Sequence, residues 1–272
     1  MRALRSVVAV GIVSIGFITA VSSQAISASS GPASPADYVS FRGQITTIAQ
    51  LRLDDPKNVE KARQMLLAHN EKALSHGWVA QCSQIASRDE NFAENVRKAA
   101  KKHGGTDAFV ARLTADPSSV LEVSGWQDAS ADVTSAVMQD AANMQSLSHR
   151  LTEIAYGRTA NEARYAADAQ KSAGITGSVG RARTPRNASP MMTRILALGA
   201  VMALQQDSAR VDSAAATLVA DKQNDQCLRW SDLNLKQCLA AARDNAERAY
   251  CLSTEAIASR SDCWNKVVQA GS

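Results

Sequence analysis

Residues 225–264 decide the fold of this chain, and they read DQCLRWSDLNLKQCLAAARDNAERAYCLSTEAIASRSDCW. Four of the chain's five cysteines lie here, at Cys227, Cys238, Cys251 and Cys263, with the spacing C-x10-C, then twelve residues, then C-x11-C. An α-helix rises about 1.5 Å per residue, so the first two cysteines would lie about 16.5 Å apart and the last two about 18 Å apart. The stretch therefore predicts two helical segments of nearly equal length that are joined by a turn.

A helical hairpin would bring these cysteines together in nested pairs. If the two segments run antiparallel, Cys238 faces Cys251 near the turn and Cys227 faces Cys263 at the open end. Sequential pairing, within each segment rather than between the segments, is the alternative, because four cysteines allow three connectivities. We favour the nested pairing and predict a C-terminal helical hairpin that is stapled by two disulfides.

The turn of the hairpin has a signal of its own. Asp244, followed three residues later by Glu247, has the form of a capping box that opens a second helix near residues 243–245. The segment resembles the coiled-coil-helix-coiled-coil-helix modules of the mitochondrial intermembrane space, whose usual spacing is a twin C-x9-C. The spacing is longer in this chain, so the resemblance implies the architecture of a stapled hairpin and carries no function with it.

The fifth cysteine, Cys82, stands alone in the sequence on an apolar helical stripe, so we predict a buried and reduced thiol. Zinc sites favour C-x2-4-C pairs, and the chain contains none. The four histidines are His69, His76, His103 and His149. One continuous helix would place His69 and His76 on the same face, but no third ligand accompanies them. The sequence therefore predicts neither a metal site nor a cofactor.

The beginning of the chain predicts export. A positive charge at Arg2 precedes an apolar run over residues 6–21, and small residues follow, which is the order found in secretory signal peptides. We expect cleavage after Ala25 or, as second choice, after Ala28. Residues 1–28 include both sites and are assigned to the signal peptide; an uncleaved membrane anchor is the alternative. Because disulfides persist outside the cytoplasm, we predict a periplasmic or secreted protein.

The composition favours an all-α fold. The 272 residues include only 14 Gly and 6 Pro, good helix formers are abundant, and no β-branched run alternates with period two. The formal net charge of +4 falls to +2 when the two arginines of the signal peptide are removed, which argues against a nucleic-acid partner. We therefore predict a multi-helix bundle that has no stable membrane span after signal cleavage.

A capping residue followed by proline marks a helix start four times in the chain. These pairs are Ser34-Pro35, Asp55-Pro56, Asp116-Pro117 and Ser189-Pro190. After Asp55 the apolar spacing predicts one helix of about thirty residues. After Gly125 a near-heptad stripe of small residues predicts a long core helix. The apolar segment 191–204 predicts a buried central helix that continues to about Asp221.

Three segments follow the predicted signal peptide. Residues 29–172 are expected to form an N-terminal helical bundle, residues 173–189 a flexible linker, and residues 190–272 the C-terminal helices with the cysteine hairpin. The two helical segments could instead form one domain. The arginines of the linker are Arg181, Arg183 and Arg186. We expect them to be solvated rather than bound to an anionic surface polymer.

Residues suited to catalysis are few. No nucleophile–base pair or hydrolase motif is evident, and Glu153 is the only candidate for the acidic residue of a cell-wall glycosidase. We therefore predict no catalytic residue and expect a non-catalytic protein of the cell envelope, with a binding or scaffolding role toward an envelope protein or polymer. A cell-wall polymer hydrolase with an acidic catalytic residue is the alternative, and an acidic pair facing one cleft would favour it.

Overall fold

The computed structural model describes residue 31 and residues 34–156, 187–204 and 207–269 of the chain. The predicted signal peptide lies outside these residues, as does most of the predicted linker with its three arginines. Eleven α-helices and no strand occur within the described residues. The predicted all-α fold is confirmed.

The helices are numbered in chain order. Up to residue 156 they are α1 (Ala36–Gln50), α2 (Pro56–Leu67), α3 (Glu71–Ser87), α4 (Glu90–Lys102), α5 (Thr106–Ala115) and α6 (Trp126–Tyr156), with a 3-10 helix (Pro117–Glu122) between α5 and α6. From residue 187 onward they are α7 (Pro190–Ala203), α8 (Ser208–Leu218), α9 (Lys222–Ala241), α10 (Asn245–Cys251) and α11 (Ser259–Gln269). A π-helical segment (Leu252–Ala258) joins α10 to α11 without a break.

All four predicted cap–proline pairs stand at helix starts. Asp55 and Ser189 each accept a hydrogen bond from a backbone N–H two or three residues further on, and their helices begin at the prolines. Asp116 caps the short 3-10 helix rather than an α-helix. At α1 the proline is itself the capping residue, and the helix begins one residue later, at Ala36.

Two predicted helices are shorter than the apolar spacing suggested. The predicted thirty-residue helix is divided into α2 and α3, because the side chain of Asn70 accepts the N–H of Ala73 and starts a new helix. The helix predicted to reach Asp221 ends at Ala203, and Asp207 caps α8. In both places a short polar side chain bonds to the backbone and competes with the helical hydrogen bond, which the spacing of apolar residues does not reveal.

The apolar helix α7 lies in the centre of the fold, as predicted. Nearly all of its side chains are buried, and it packs along α3. The two backbones approach closely at Gly199, where an added Cβ would lie 3.0 Å from the Cβ of Ala86 and 3.0 Å from the carbonyl oxygen of Ser83. The long helix α6 adds its predicted stripe of small residues to the same core. The helices on both sides of the predicted linker therefore share one hydrophobic core.

The C-terminal helices form the predicted hairpin. Disulfides join Cys227 to Cys263 and Cys238 to Cys251, which is the nested pairing rather than the sequential one. The side chain of Asp244 caps the helix that follows the turn, as the capping box predicted. The hairpin thus lies with α9 on one side and with α10, the π-helical segment and α11 on the other.

Hydroxyl groups of neighbouring helices hold the π-helical segment. Such a segment departs from the i→i+4 hydrogen-bond pattern of an α-helix. Ser231 of α9 donates to the carbonyl of Glu255, and Ser148 of α6 donates to the carbonyl of Ser253. These bonds connect the second half of the hairpin both to α9 and to α6, and they fix the position of α9 relative to the bundle.

Candidate functional site

A cleft of about 560 Å³ opens between α3, α7 and the junction of α8 with α9. Its lining consists of Glu71 and Lys72 of α3, Arg194 of α7, Ala220 at the junction, and Lys222, Asp225, Gln226 and Arg229 of α9. Four of these side chains are cationic and two are acidic, so we call it the cationic cleft. The charged ends of these side chains offer contacts to a charged ligand.

Helix periodicity places three residues of α9 on one wall of the cleft. Lys222, Gln226 and Arg229 stand at positions i, i+4 and i+7, so they share one side of the helix. Asp221 caps α9 and determines where this side begins. Arg194 of α7 donates to the backbone carbonyl of Ala220, which connects α7 to the start of α9.

Behind Asp225 lies a polar cluster that α3 and α9 share. Ser75 donates to Oδ1 of Asp225 at 2.5 Å, and Nδ2 of Asn224 donates to the hydroxyl of Ser75 at 2.9 Å. Nε2 of His76 lies 4.0 Å from Oδ2 of the same carboxylate. Burial lowers the pKa of His76, and the charge of Asp225 opposes that shift. The cluster holds Asp225 in one position at the wall of the cleft.

The serine of this cluster is not arranged as a nucleophile. Ser75 is fully buried and donates directly to a carboxylate, and no histidine among the described residues bonds to its hydroxyl. A serine nucleophile needs contact with the substrate and a base within hydrogen-bond reach of its Oγ. Ser75 therefore positions Asp225 and has no arrangement for attack on a substrate.

Glu153, the acidic candidate from the sequence, lies outside the cationic cleft. It is on α6 with 57% of its side chain exposed, and its Oε1 lies 3.4 Å from Nδ1 of His149 one turn earlier. Two other acidic residues, Glu71 and Asp225, do face one cleft. An acidic pair in one cleft is the arrangement that would favour a hydrolase, although four cationic side chains line the same cleft.

The remaining cysteine and the histidines are dispersed over the fold. Cys82 is free and buried, and burial raises the pKa of its thiol. His69 lies in the loop between α2 and α3, with its Nε2 2.6 Å from Oε1 of Gln44. Because His69 is outside α3, the prediction that it shares a helix face with His76 was wrong. Across the described ranges, no group of three His, Cys, Asp or Glu side chains could hold a metal ion.

The cationic cleft was not predicted from the sequence. The spacing of Lys222, Gln226 and Arg229 is visible in the sequence, but it fits a solvated helix face equally well. Lys72 and Arg194 come from helices that are distant in sequence. Only the packing of α3 against α7 and α9 brings these charges to one place.

Comparison with known proteins adds no assignment for this site. The chain matches no protein-family model, no curated protein and no solved structure. In the part of the chain that the structure describes, no helix combines the length and the apolar character needed to cross a bilayer. The fold and the cleft are therefore the observations from which a function must be inferred.

Proposed function

We propose that this protein is a non-catalytic, extracytoplasmic binding protein of the cell envelope, and that the cationic cleft holds an anionic group of an envelope component. The observation that carries the proposal is the convergence of Lys72, Arg194, Lys222 and Arg229 on one cleft. Their positive charges outnumber the two carboxylates of the lining. A cleft lined mainly by one sign of charge attracts ligands of the opposite sign.

Two features support a location outside the cytoplasm. The chain begins with the sequence pattern of a signal peptide over residues 1–28. The two disulfides of the hairpin belong to a kind of bond that persists in oxidising compartments and is rare in the cytosol. N-terminal sequencing of the native protein tests this part of the proposal.

Part of the cleft wall is ordered before any ligand arrives. The carbonyl of Ala220 holds the guanidinium of Arg194, and the hydroxyl of Ser75 holds the carboxylate of Asp225. Preorganised groups lower the entropy that is lost when a ligand binds. The Lys and Arg side chains offer N–H donors that form charge-assisted hydrogen bonds to phosphate or carboxylate oxygens. The cleft is therefore suited to recognise an anion.

Titration with small multivalent anions tests the proposed function. We expect inorganic pyrophosphate or citrate to bind at low ionic strength, and the affinity to fall with added salt, because charges are screened beyond about 10 Å at 0.1 M. Lys72→Gln and Lys222→Gln should each lower the affinity by about fivefold, measured by isothermal titration calorimetry. Lys61→Gln, an exposed lysine of α2 outside the cleft, is the matched control. If neither anion binds, or if the cleft variants bind as tightly as the control, the proposal is wrong.

A cell-wall polymer hydrolase is the second candidate, because Glu71 and Asp225 face the same cleft. Two carboxyl groups that flank the scissile bond are the usual machinery of glycosidases, and one of them must act as a general acid. Release of soluble fragments from peptidoglycan that is lost in both Glu71→Gln and Asp225→Asn would replace the binding proposal with this one.

A further inference from the structure

The solvent-facing side of α9 carries two large apolar side chains. Trp230 is 55% exposed and Leu233, one turn further along, is 42% exposed. The other three tryptophans of the chain are buried. Large apolar side chains that are grouped on a surface, rather than scattered singly, mark sites of contact with another molecule.

This side of α9 is continuous with the cationic cleft. Lys222, Arg229 and Leu233 stand at positions i, i+7 and i+11 of the helix, and Trp230 lies beside them; we call these four residues the α9 face. The exposed positions of α9 carry no acidic residue. The α9 face is therefore both basic and apolar.

The two acidic residues within α9 each have a partner of their own. Asp225 accepts the hydroxyl of Ser75, and the largely buried carboxylate of Asp232 lies 2.5 Å from Nζ of Lys236. Neither carboxylate is paired with Lys222 or Arg229 in the described structure. The positive charge of the α9 face is thus available to an anionic partner.

From this arrangement we infer that the α9 face docks the protein onto a lipid surface that contains anionic headgroups. The inference rests on the proposed function, with the headgroup phosphates as the anionic group that the cationic cleft receives. Tryptophan is enriched at the boundary between headgroups and acyl chains. Basic side chains are attracted by the negative potential of an anionic membrane surface. The α9 face presents both kinds of residue on one side of one helix.

The size of the α9 face favours a lipid surface over a folded protein partner. A standard protein–protein interface buries about 800 Å² on each partner and has an apolar core. The α9 face offers only two large apolar side chains. Peripheral membrane binding needs less, because a few cations and a shallowly inserted apolar side chain add their contributions. The disulfides hold α9 against the rest of the hairpin, so the face is ordered in advance.

Tryptophan fluorescence provides a direct readout, because Trp230 is the exposed one of the four tryptophans. Vesicles of phosphatidylcholine with about 30% phosphatidylglycerol provide the anionic surface. With these vesicles we expect a blue shift of the emission, protection from acrylamide, quenching by brominated lipids, and co-sedimentation of the full mature chain. Vesicles of phosphatidylcholine alone should produce none of these effects.

Variants separate the basic from the apolar contribution. Lys222→Gln and Arg229→Gln should each lower the vesicle partition coefficient about fivefold. Trp230→Ser and Leu233→Ser should each lower it about tenfold, read by sedimentation. Val39→Ser, which removes a side chain that is 49% exposed on α1, is the matched apolar control and should leave vesicle binding unchanged.

The outcomes distinguish this inference from the proposed function. If wild-type protein binds pyrophosphate but no anionic vesicle, the docking surface is wrong and the anion-binding cleft stands. If it binds neither, both are wrong. Vesicle binding that is unchanged by Trp230→Ser and Leu233→Ser, or capture by an envelope protein without vesicle binding, also overturns the inference. Quenching by brominated lipids is measured on the wild-type chain. This test therefore remains decisive even if a variant folds poorly.

Discussion

Arg260, on α11, carries a charge inside the fold. Its side chain is only 1% exposed, it donates to the carbonyl of Leu66 at 3.2 Å, and its guanidinium lies 5.6 Å from the centre of the Phe41 ring. The carboxylate of Asp232, on α9, lies 4.0 Å from its guanidinium. Burial lowers the pKa of Arg260, and the charge of Asp232 opposes that shift. Attraction to Asp232 thus offsets part of the cost of burying the guanidinium.

We predict that Asp232→Asn lowers the free energy of unfolding by about 3 kcal/mol, because it leaves a buried guanidinium without a facing carboxylate. Adding Arg260→Met to this variant should recover most of the loss, since the unpaired charge is then gone. Lys236→Gln removes the exposed partner of Asp232 and should cost about 1 kcal/mol or less. Urea unfolding of the wild type and of the three variants measures these free energies. A double variant no more stable than Asp232→Asn alone would contradict the prediction.

At the scale of elements, the contact between α3 and α7 depends on one glycine. An added Cβ at Gly199 would lie 3.0 Å from Ala86 Cβ and from the backbone oxygen of Ser83, which is closer than side chains normally approach. Gly43 of α1, in contrast, has nothing within 4 Å of an added Cβ. The same substitution to alanine would therefore be crowded at Gly199 and unhindered at Gly43.

We predict that Gly199→Ala lowers the free energy of unfolding by about 1–3 kcal/mol, because the two helices must move apart or distort. Gly43→Ala should raise it by about 0.5–1 kcal/mol, because alanine favours the helix and meets no neighbour. Thermal and urea unfolding of both variants give the comparison. Stabilisation by both substitutions would show that α3 and α7 do not pack as closely as described.

At the scale of the whole molecule, disulfides close the hairpin, and aromatic packing joins it to the rest of the bundle. The disulfides span 13 and 36 residues. Trp264 of α11 lies edge-on to Tyr38 of α1, with ring centres 5.2 Å apart, and stacks on Trp78 of α3 at 6.1 Å. The C-terminal helices therefore contact the first helices of the bundle.

We predict that replacing Cys238 and Cys251 by serine lowers the free energy of unfolding by about 3 kcal/mol, as expected for opening a loop of this length. Full reduction should increase amide exchange in α9–α11 more than in the buried helix α7. Cys82 should react with a maleimide only after unfolding, because it is buried and burial raises the pKa of its thiol. Rapid labelling of Cys82 in the native protein, or equal exchange gains in α7 and α9, would contradict this account.

The elements of the fold were predictable wherever a local pattern determines them. The cysteine spacing and the cap at Asp244 predicted the nested hairpin, because the fixed rise of a helix decides which side chains can meet. The apolar segment 191–204 predicted the buried helix α7, because it is strongly apolar and too short to span a bilayer. The breaks at Asn70 and Asp207 were missed, because the same polar residues also occur on the solvated faces of uninterrupted helices.

By itself the sequence determined the helical class, the C-terminal hairpin and the isolation of Cys82, since all three follow from spacing along one chain. Only the tertiary structure decided the position of the cationic cleft and the exposure of Trp230. The physical reason is that the cations of the cleft belong to three helices whose arrangement is set by apolar contacts elsewhere in the core. Charged residues on a solvated helix face contain no information about the helix that will pack beside them.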